Sequence, residues 1–266
     1  MSSAKIPKIT NQEIEAFEQD GVVCLRGLFE DVWLERLRSA VDWNMTNPGP
    51  IATNLTQGGR LHLDVFMWTR NSDFRAFVFE SPVAAIAAQI LKAEKVHFLF
   101  DHLLVKEPGY IKPILWHNDH PDWPLQGWNM CSLWVALDPV TKETGGVQYI
   151  KGSHQWRKWL RQKDALAEAV AHSASLELLS WNMAPGDCLV HHALTIHASS
   201  GNASTSTRRR ALVTRWAGDG VTYDPRPDTF ITHINKIGVK EVNSIHRLHA
   251  GDSIDCDLFP QLWPRA

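Results

Sequence analysis

Helix-like periodicity in this chain is concentrated before Ala93, and strand-like runs follow from Val96 onward. That order narrows the fold more than any other feature, because helices first and sheet afterwards lead to a β-sandwich or jelly roll buttressed along one side. Thr10-Asn11-Gln12-Glu13 has the form of a capping box, opening a helix that carries Ile14 and Phe17. Val22-Val23-Cys24-Leu25 reads as a short strand, and Asp31 as the cap of a second helix reaching Met45, with Trp33, Leu34, Leu37 and Val41 on one face. A third helix is expected over Pro82 to Ala93. Beyond it, Val96 to Lys106 is an apolar strand closed by the Glu107-Pro108-Gly109 turn, Ser132 to Leu137 is another, and one helical insertion runs from about Ser153 to Ala171. No repeat period or low-complexity linker divides the sequence. One mainly β domain with flanking helices is therefore expected over residues 1–266: a largely helical buttress over 1–95, a β core over 96–218 and a C-terminal extension over 219–266.

The chemistry-bearing residues fall within the β part. Trp116-His117-Asn118-Asp119 lies between two strand runs, and His192-Ala193-Leu194-Thr195-Ile196-His197 lies far downstream, trailed by Arg208, Arg209 and Arg210. Two imidazoles and a carboxylate make the facial triad that suits a non-haem ferrous ion, since they occupy one face of the metal and leave the rest open to co-substrate and O₂. The short spacing has a reason: in an extended strand residues i and i+2 point the same way, so His117 and Asp119 can reach one metal while Asn118 faces away. His62-Leu63-Asp64 and His120-Pro121-Asp122 share the pattern, so context must choose. Gln57-Gly58-Gly59-Arg60 makes the first rival a loop feature, and Pro121 removes a ladder donor from the second, which suits a pocket mouth. The choice is 117/119. Most of the thirteen histidines must be ordinary: His191 and His192 point to opposite sides of an apolar strand, and His102, His154 and His233 read as structural.

Four segments in one order resemble the phytanoyl-CoA dioxygenase family of Fe(II)- and 2-oxoglutarate-dependent oxygenases. They are Phe17-Glu18-Gln19-Asp20-Gly21-Val22-Val23; Trp116-His117-Asn118-Asp119; Trp134-Val135-Ala136-Leu137-Asp138-Pro139 leading through Gly145-Gly146-Val147 to Lys151-Gly152-Ser153-His154; and Pro185-Gly186-Asp187 leading to His197-Ala198-Ser199. The resemblance implies a double-stranded β-helix, the cupin-like jelly roll, with His117, Asp119 and His197 as iron ligands. It also implies an arginine beyond the distal histidine that binds the far carboxylate of 2-oxoglutarate, a task suited to the planar guanidinium fork. Aligning the strand from Arg209 to Trp216 selects Arg209, whereas counting forward from His197 and Asn202 selects Arg208. The two face opposite sides of a strand, so only one can serve, and the loop-like Ala203 to Thr207 stretch favours Arg209. Ser199 and Trp134 resemble positions that contact 2-oxoglutarate. Asn118 stands where the family often has Gln, and Lys151 where Pro is common; neither touches the metal. Because related halogenases carry a small residue in place of the carboxylate, Asp119 implies hydroxylation, with desaturation and ring formation left open. The implied cofactors are Fe(II), 2-oxoglutarate and O₂, with ascorbate as a stimulant.

A net charge of −2 gives no reason to expect a nucleic acid partner. Cys24, Cys131, Cys188 and Cys256 are scattered without a zinc or disulfide spacing. The polar start lacks an apolar leader, and no run approaches a membrane span, so a cytoplasmic protein with a small-molecule substrate and no membrane partner is expected. Oligomeric state stays open. Among the twelve tryptophans, Trp116, Trp123 and Trp128 crowd the proximal motif and could wall an apolar pocket; Arg60, Lys112 and Arg215 could neutralise an acidic substrate or simply be solvated. Two rival readings remain, a zinc-dependent hydrolase on a cupin-like fold and a non-catalytic cupin-like binding protein. The first lacks an H-E-x-x-H motif and leaves the arginine without a task.

Overall fold

The computed structural model describes residues 6–172, 176–230, 235 and 240–264; His233 lies outside them. The first part of the chain holds helix α1 (Asn11–Asp20), strand β1 (Val22–Leu25), helix α2 (Asp31–Thr46), a hairpin of β2 (Thr53–Gln57) and β3 (Gly59–Val65), and helices α3 (Ser72–Glu80) and α4 (Val83–Leu91). Then come β4 (Val96–Lys106), β5 (Ile114–His117), β6 (Leu125–Gln126), β7 (Met130–Ala136), β8 (Val147–Ile150), α5 (Gln162–Ala171) and β9 (Leu178–Leu179). The chain finishes with β10 (Cys188–His192), β11 (His197–Ser199), β12 (Arg209–Ala217), β13 (Thr222–Tyr223), α6 (Val242–Ile245) and β14 (Gln261–Trp263).

Local chemistry explains the helix ends. The capping box forms as read, the Thr10 hydroxyl accepting from the Glu13 amide at 3.2 Å while the Glu13 carboxylate takes the Thr10 amide at 2.7 Å, and Gly21 ends the helix at φ 77°. Asp31 is the first residue of α2 rather than its cap, which is Glu30; a carboxylate in the first turn still complements the helix dipole. Helix α3 was not foreseen: Asn71 caps the Asp73 and Phe74 amides, and Ser81-Pro82 divides it from α4. The expected insertion is likewise broken, with a short 3₁₀ turn at Ser153–Trp156 and a helix only from Gln162.

The strands form a large antiparallel sheet in the order β1-β10-β7-β12-β4-β3-β2, with β14 also on β4, and a smaller one in the order β5-β11-β8-β9. Strands β1, β2 and β3 from before residue 96 and β14 from after 218 thus belong to the large sheet, while β13 pairs with β6. The first rival motif is part of this addition. His62 and Asp64 lie in β3, not in a loop, and both are buried: His62 contacts Asn44 and Asn54, and Asp64 takes the Asn44 amide, the Gly49 amide and Arg70. Their partners are saturated, so the pair is architectural.

Alternation along the large sheet separates two environments. Cys131, Leu133 and Val135 on β7, Cys188 and Val190 on β10, and Leu212 and Trp216 on β12 pack with Phe17, Leu37, Phe77 and Ile86 of the helices. Trp134, Leu189, Ala211 and Val213 point the other way and pack with Val147 and Tyr149 of the small sheet. Helices α1 to α4 therefore buttress one face of the large sheet, α5 packs on the small sheet beside Ile150 and Ile196, and the space between the sheets is the interior of a jelly roll. No single helix among the described residues is long and apolar enough to cross a membrane.

Candidate metal centre and co-substrate cavity

The small sheet sets the two histidines against each other. His197 on β11 is the direct antiparallel partner of His117 on β5, and on its other side of Tyr149 on β8. Side chains at directly opposed positions share a face, and the two imidazole centroids lie 4.4 Å apart. Asp119 arrives differently from the expectation. Strand β5 stops at His117, and Asp119 adopts a helical φ of −75° at the head of the 3₁₀ turn His120–Asp122. The amides of Asp119 and His120 both donate to the Ala193 carbonyl, at 3.0 and 3.1 Å, which ties this turn to the segment leading into β11. Asn118 does face away: its amide donates to the carbonyls of Lys158 and Leu194 and its oxygen accepts from Leu160. One ligand atom from each of His117, Asp119 and His197 lies within 4.8 Å of the others, with His117 Nε2 at 4.0 Å from Asp119 Oδ1.

The electrostatics suit a cation. His117 Nδ1 contacts the Leu115 carbonyl at 2.7 Å and His197 Nδ1 the Thr195 carbonyl at 3.0 Å. A carbonyl can only accept, so both rings donate from Nδ1 and turn Nε2 inward. Burial, reinforced by His117 and His191, holds His197 well below the usual imidazole range, so it is neutral. For Asp119 burial alone would raise the pKa, but the Arg215 guanidinium and the His191 hydrogen bond outweigh it and hold the carboxyl well below the usual range. Both oxygens are oriented: Ser132 Oγ donates to Oδ2 at 2.9 Å, His191 Nε2 lies 3.2 Å from the same atom, and Arg215 reaches Oδ1 at 3.2 Å, leaving a lone pair of Oδ1 free. Two imidazoles and a carboxylate, each oriented by a second partner, fit a divalent ion.

Three of these supports escaped the sequence reading. His191 is not an ordinary side chain, Arg215 is not solvated, and Ser132 was not considered. Strand parity would have found them: Arg215 shares the face of Arg209 and Val213, Ser132 that of Trp134, and His191 that of Leu189. His192, of opposite parity, contacts the Trp128 carbonyl at 2.8 Å, away from the centre. His154 likewise contacts the Glu18 carbonyl. His102, read as structural, lines both cavities described next.

A cavity of about 380 Å³ runs from the triad between the sheets, past Trp134 and Ser199 to Arg209. Arg209 is 1% exposed, lies 5.4 Å over the Trp134 ring, and has one hydrogen bond, to the Gly145 carbonyl at 3.3 Å. Its Nε and Nη1 have no partner. Gly145 takes φ 88°, and a Cβ there would meet the Ser200 carbonyl at 2.8 Å, so only glycine lets this carbonyl approach. Arg208 points outward to Glu107 and Asp42, and Arg210 pairs with Asp138. An unpaired buried guanidinium lacks only a planar anion, and a carboxylate supplies one.

A second cavity, about 560 Å³, opens from the other side of the triad, walled by Phe66, Phe100, Trp123 and Phe230 and closed by Pro50 to Ala52. Arg215 stands 4.9 Å over Phe100 and 5.7 Å over Trp123. Of the three tryptophans near the motif only Trp123 lines it; Trp128 stacks on His192, and Trp116 packs beside Ile150 and Leu160. Asp122 sits at its edge, as expected of a pocket mouth. Lys112 lines the first cavity, whereas Arg60 is held by Asn54.

Comparison with known proteins places the chain in a family. The family model of phytanoyl-CoA dioxygenase matches residues 17–211. A multifunctional dioxygenase of Penicillium brasilianum, prhA, is 25% identical over 225 residues, 74% of this chain and 68% of that protein. The dioxygenase easH of Epichloe festucae var. lolii is 34% identical over 104 residues, 37% of this chain and 51% of that one. Among solved structures, the non-haem α-ketoglutarate-dependent carbocyclase SnoK from nogalamycin biosynthesis superposes with a TM-score of 0.78 at 22% identity, covering 96% of this chain and 97% of its own. The epimerase SnoN, solved with Fe³⁺, α-ketoglutarate and a nogalamycin, gives 0.75 at 18% identity, covering 94% and 97%.

Proposed function

The chain belongs to the phytanoyl-CoA dioxygenase family and is a non-haem iron, 2-oxoglutarate-dependent dioxygenase; we propose that it hydroxylates an unactivated C–H bond of a small, largely apolar, ring-bearing molecule. In this reading His117, Asp119 and His197 hold Fe(II), Arg209 and Ser199 hold the far carboxylate of 2-oxoglutarate, and Trp134 floors that end of the cavity. The observation that supports it most is the buried Arg209 guanidinium, whose Nε and Nη1 have no partner, at the end of a cavity that starts at the triad. A zinc hydrolase would give that arginine no task, and a carrier would need no free triad.

Bound Fe(II) with 2-oxoglutarate and O₂ supplies the oxidising power, the keto acid leaving as succinate and CO₂ as the C–H bond gains a hydroxyl. The residues of this chain do the rest. The two Nδ1 to carbonyl bonds keep the imidazoles aimed inward, and Ser132, His191 and Arg215 fix the Asp119 carboxylate, so the face turned to the aromatic cavity stays open. Phe66, Phe100, Trp123 and Phe230 exclude water and orient an apolar substrate by contact. SnoK and SnoN are named for nogalamycin biosynthesis; their likeness, with the aromatic wall, supports a natural-product intermediate as substrate.

The test is release of succinate and CO₂ on adding Fe(II), ascorbate and 2-oxoglutarate in air, then screening ring-bearing compounds for coupled product. Zinc retention without any 2-oxoglutarate turnover would sink the reading. With a substrate in hand, Phe230→Ala is expected to raise its KM about tenfold, the loss of roughly half a buried phenylalanine's contact, while the KM for 2-oxoglutarate stays unchanged. Equal rises in both would mean that the aromatic cavity does not hold the substrate.

A further inference from the structure

Arg209 is not the only buried cation at the far end of the co-substrate cavity. Lys106 on β4 is its direct antiparallel partner, so the two side chains rise on the same face. Lys106 is fully buried and donates to two neutral acceptors, Ser199 Oγ at 2.8 Å and the Ser200 carbonyl. Among the described residues neither cation forms an ion pair; Asp138 is occupied by Arg210 and Glu107 by Arg208. Two like charges facing each other in a dry interior are costly without an anion between them.

We propose, on the reading that 2-oxoglutarate occupies this cavity, that Lys106 is the second cation of its carboxylate subsite, taking up a proton as the co-substrate arrives and so setting the direction of the Ser199 hydroxyl. An ammonium has donors only, so when Lys106 is charged Ser199 Oγ must accept from it and its own proton is turned to the cavity. A neutral amine has a lone pair and can accept that proton instead, leaving the cavity without the donor. Burial, with Arg209 opposite, pushes the Lys106 pKa down to about 6. The amine is therefore mainly neutral near pH 7 until a carboxylate restores its charge. Among the described residues no carboxylate pairs with it. Arg209 is the charged group facing it from β12, β3 presents Leu61, β11 and the turn after it present Ser199 and Ser200, and Tyr110 and Lys112 line the cavity from the segment before β5.

The sign follows from linkage. Binding coupled to proton uptake weakens as pH rises above about 6, by up to about tenfold per unit until the loaded pKa is reached. Titration calorimetry of anaerobic Fe(II)-loaded protein with 2-oxoglutarate, in buffers of differing ionisation enthalpy, reads that proton directly. Wild type is expected to take up close to one more proton than Lys106→Met, whose affinity should be about ten- to a hundredfold weaker and much flatter with pH. Lys106→Arg carries a permanent charge and is expected to bind tightly without the pH slope, which a merely structural lysine would not produce. Equal proton uptake and affinity in wild type and Lys106→Met would overturn the proposal while leaving the oxygenase reading intact. Absence of any 2-oxoglutarate binding to wild type would overturn both.

Discussion

His197→Ala is expected to yield a folded protein that neither retains Fe(II) through gel filtration nor decays 2-oxoglutarate without substrate. The imidazole is the partner of both His117 and Tyr149 in the small sheet, yet its strand is held by backbone bonds and by Ser153 Oγ accepting the Ile196 amide at 2.9 Å, neither of which needs the ring. Removing it leaves two ligands of three. Loss of an orienting partner alone costs about 10–100-fold in metal affinity, and loss of a ligand should cost more. His192→Ala is the control: it is nearby in sequence but on the opposite face, so metal affinity should be unchanged even if stability falls. Metal analysis alongside a succinate assay decides. Full iron occupancy and wild-type 2-oxoglutarate decay in His197→Ala would remove the triad from the mechanism.

Much of this was legible in the sequence because the strands obey a two-residue period. The extent of β4 follows from the sequence to the residue and that of β7 nearly so, and His117 and Asp119 line both cavities. The remaining roles depend on contacts between distant strands. Arg215 looks like a solvated cation until β12 is seen to lie beside β7 and across from Asp119; Lys106 looks like the polar end of a strand until Arg209 appears opposite it. The H-x-D spacing works here through a turn as well as a strand. A strand brings i and i+2 to one side, but here a turn does so, pinned by the Ala193 carbonyl that two amides share. The β2–β3 hairpin was hidden by Gly58 and Gly59, which read as loop. Gly58 takes φ 74° and Gly59 leaves no room for a Cβ against the Pro108 carbonyl, so these glycines close a tight turn between strands instead of dissolving them.

Arg209→Ala should instead leave iron bound and raise the KM for 2-oxoglutarate by about a hundred- to ten-thousandfold, the equivalent of two charge-assisted hydrogen bonds at about 1.5–3 kcal/mol each. Substrate-free melting should move the other way. A guanidinium with two unmet donors is a liability in the empty protein, and burial already depresses its pKa to about 10. Replacing it with a methionine of similar length removes an unpaired charge from an apolar niche, and such replacements are often neutral or stabilising. Arg209→Met is thus expected to melt no lower than wild type in the absence of 2-oxoglutarate and to lose the stabilisation that the co-substrate gives wild type by mass action. Lysine should not restore tight binding, because a point charge cannot reproduce the parallel pair of bonds. Arg208→Ala provides the contrast: its ion pairs are partly exposed, worth about 0–1 kcal/mol, and its KM should stay near wild type. If Arg208→Ala shows the large rise and Arg209→Ala is silent, the co-substrate does not reach the buried end of this cavity, and the site residues must be reassigned around the outward face of β12.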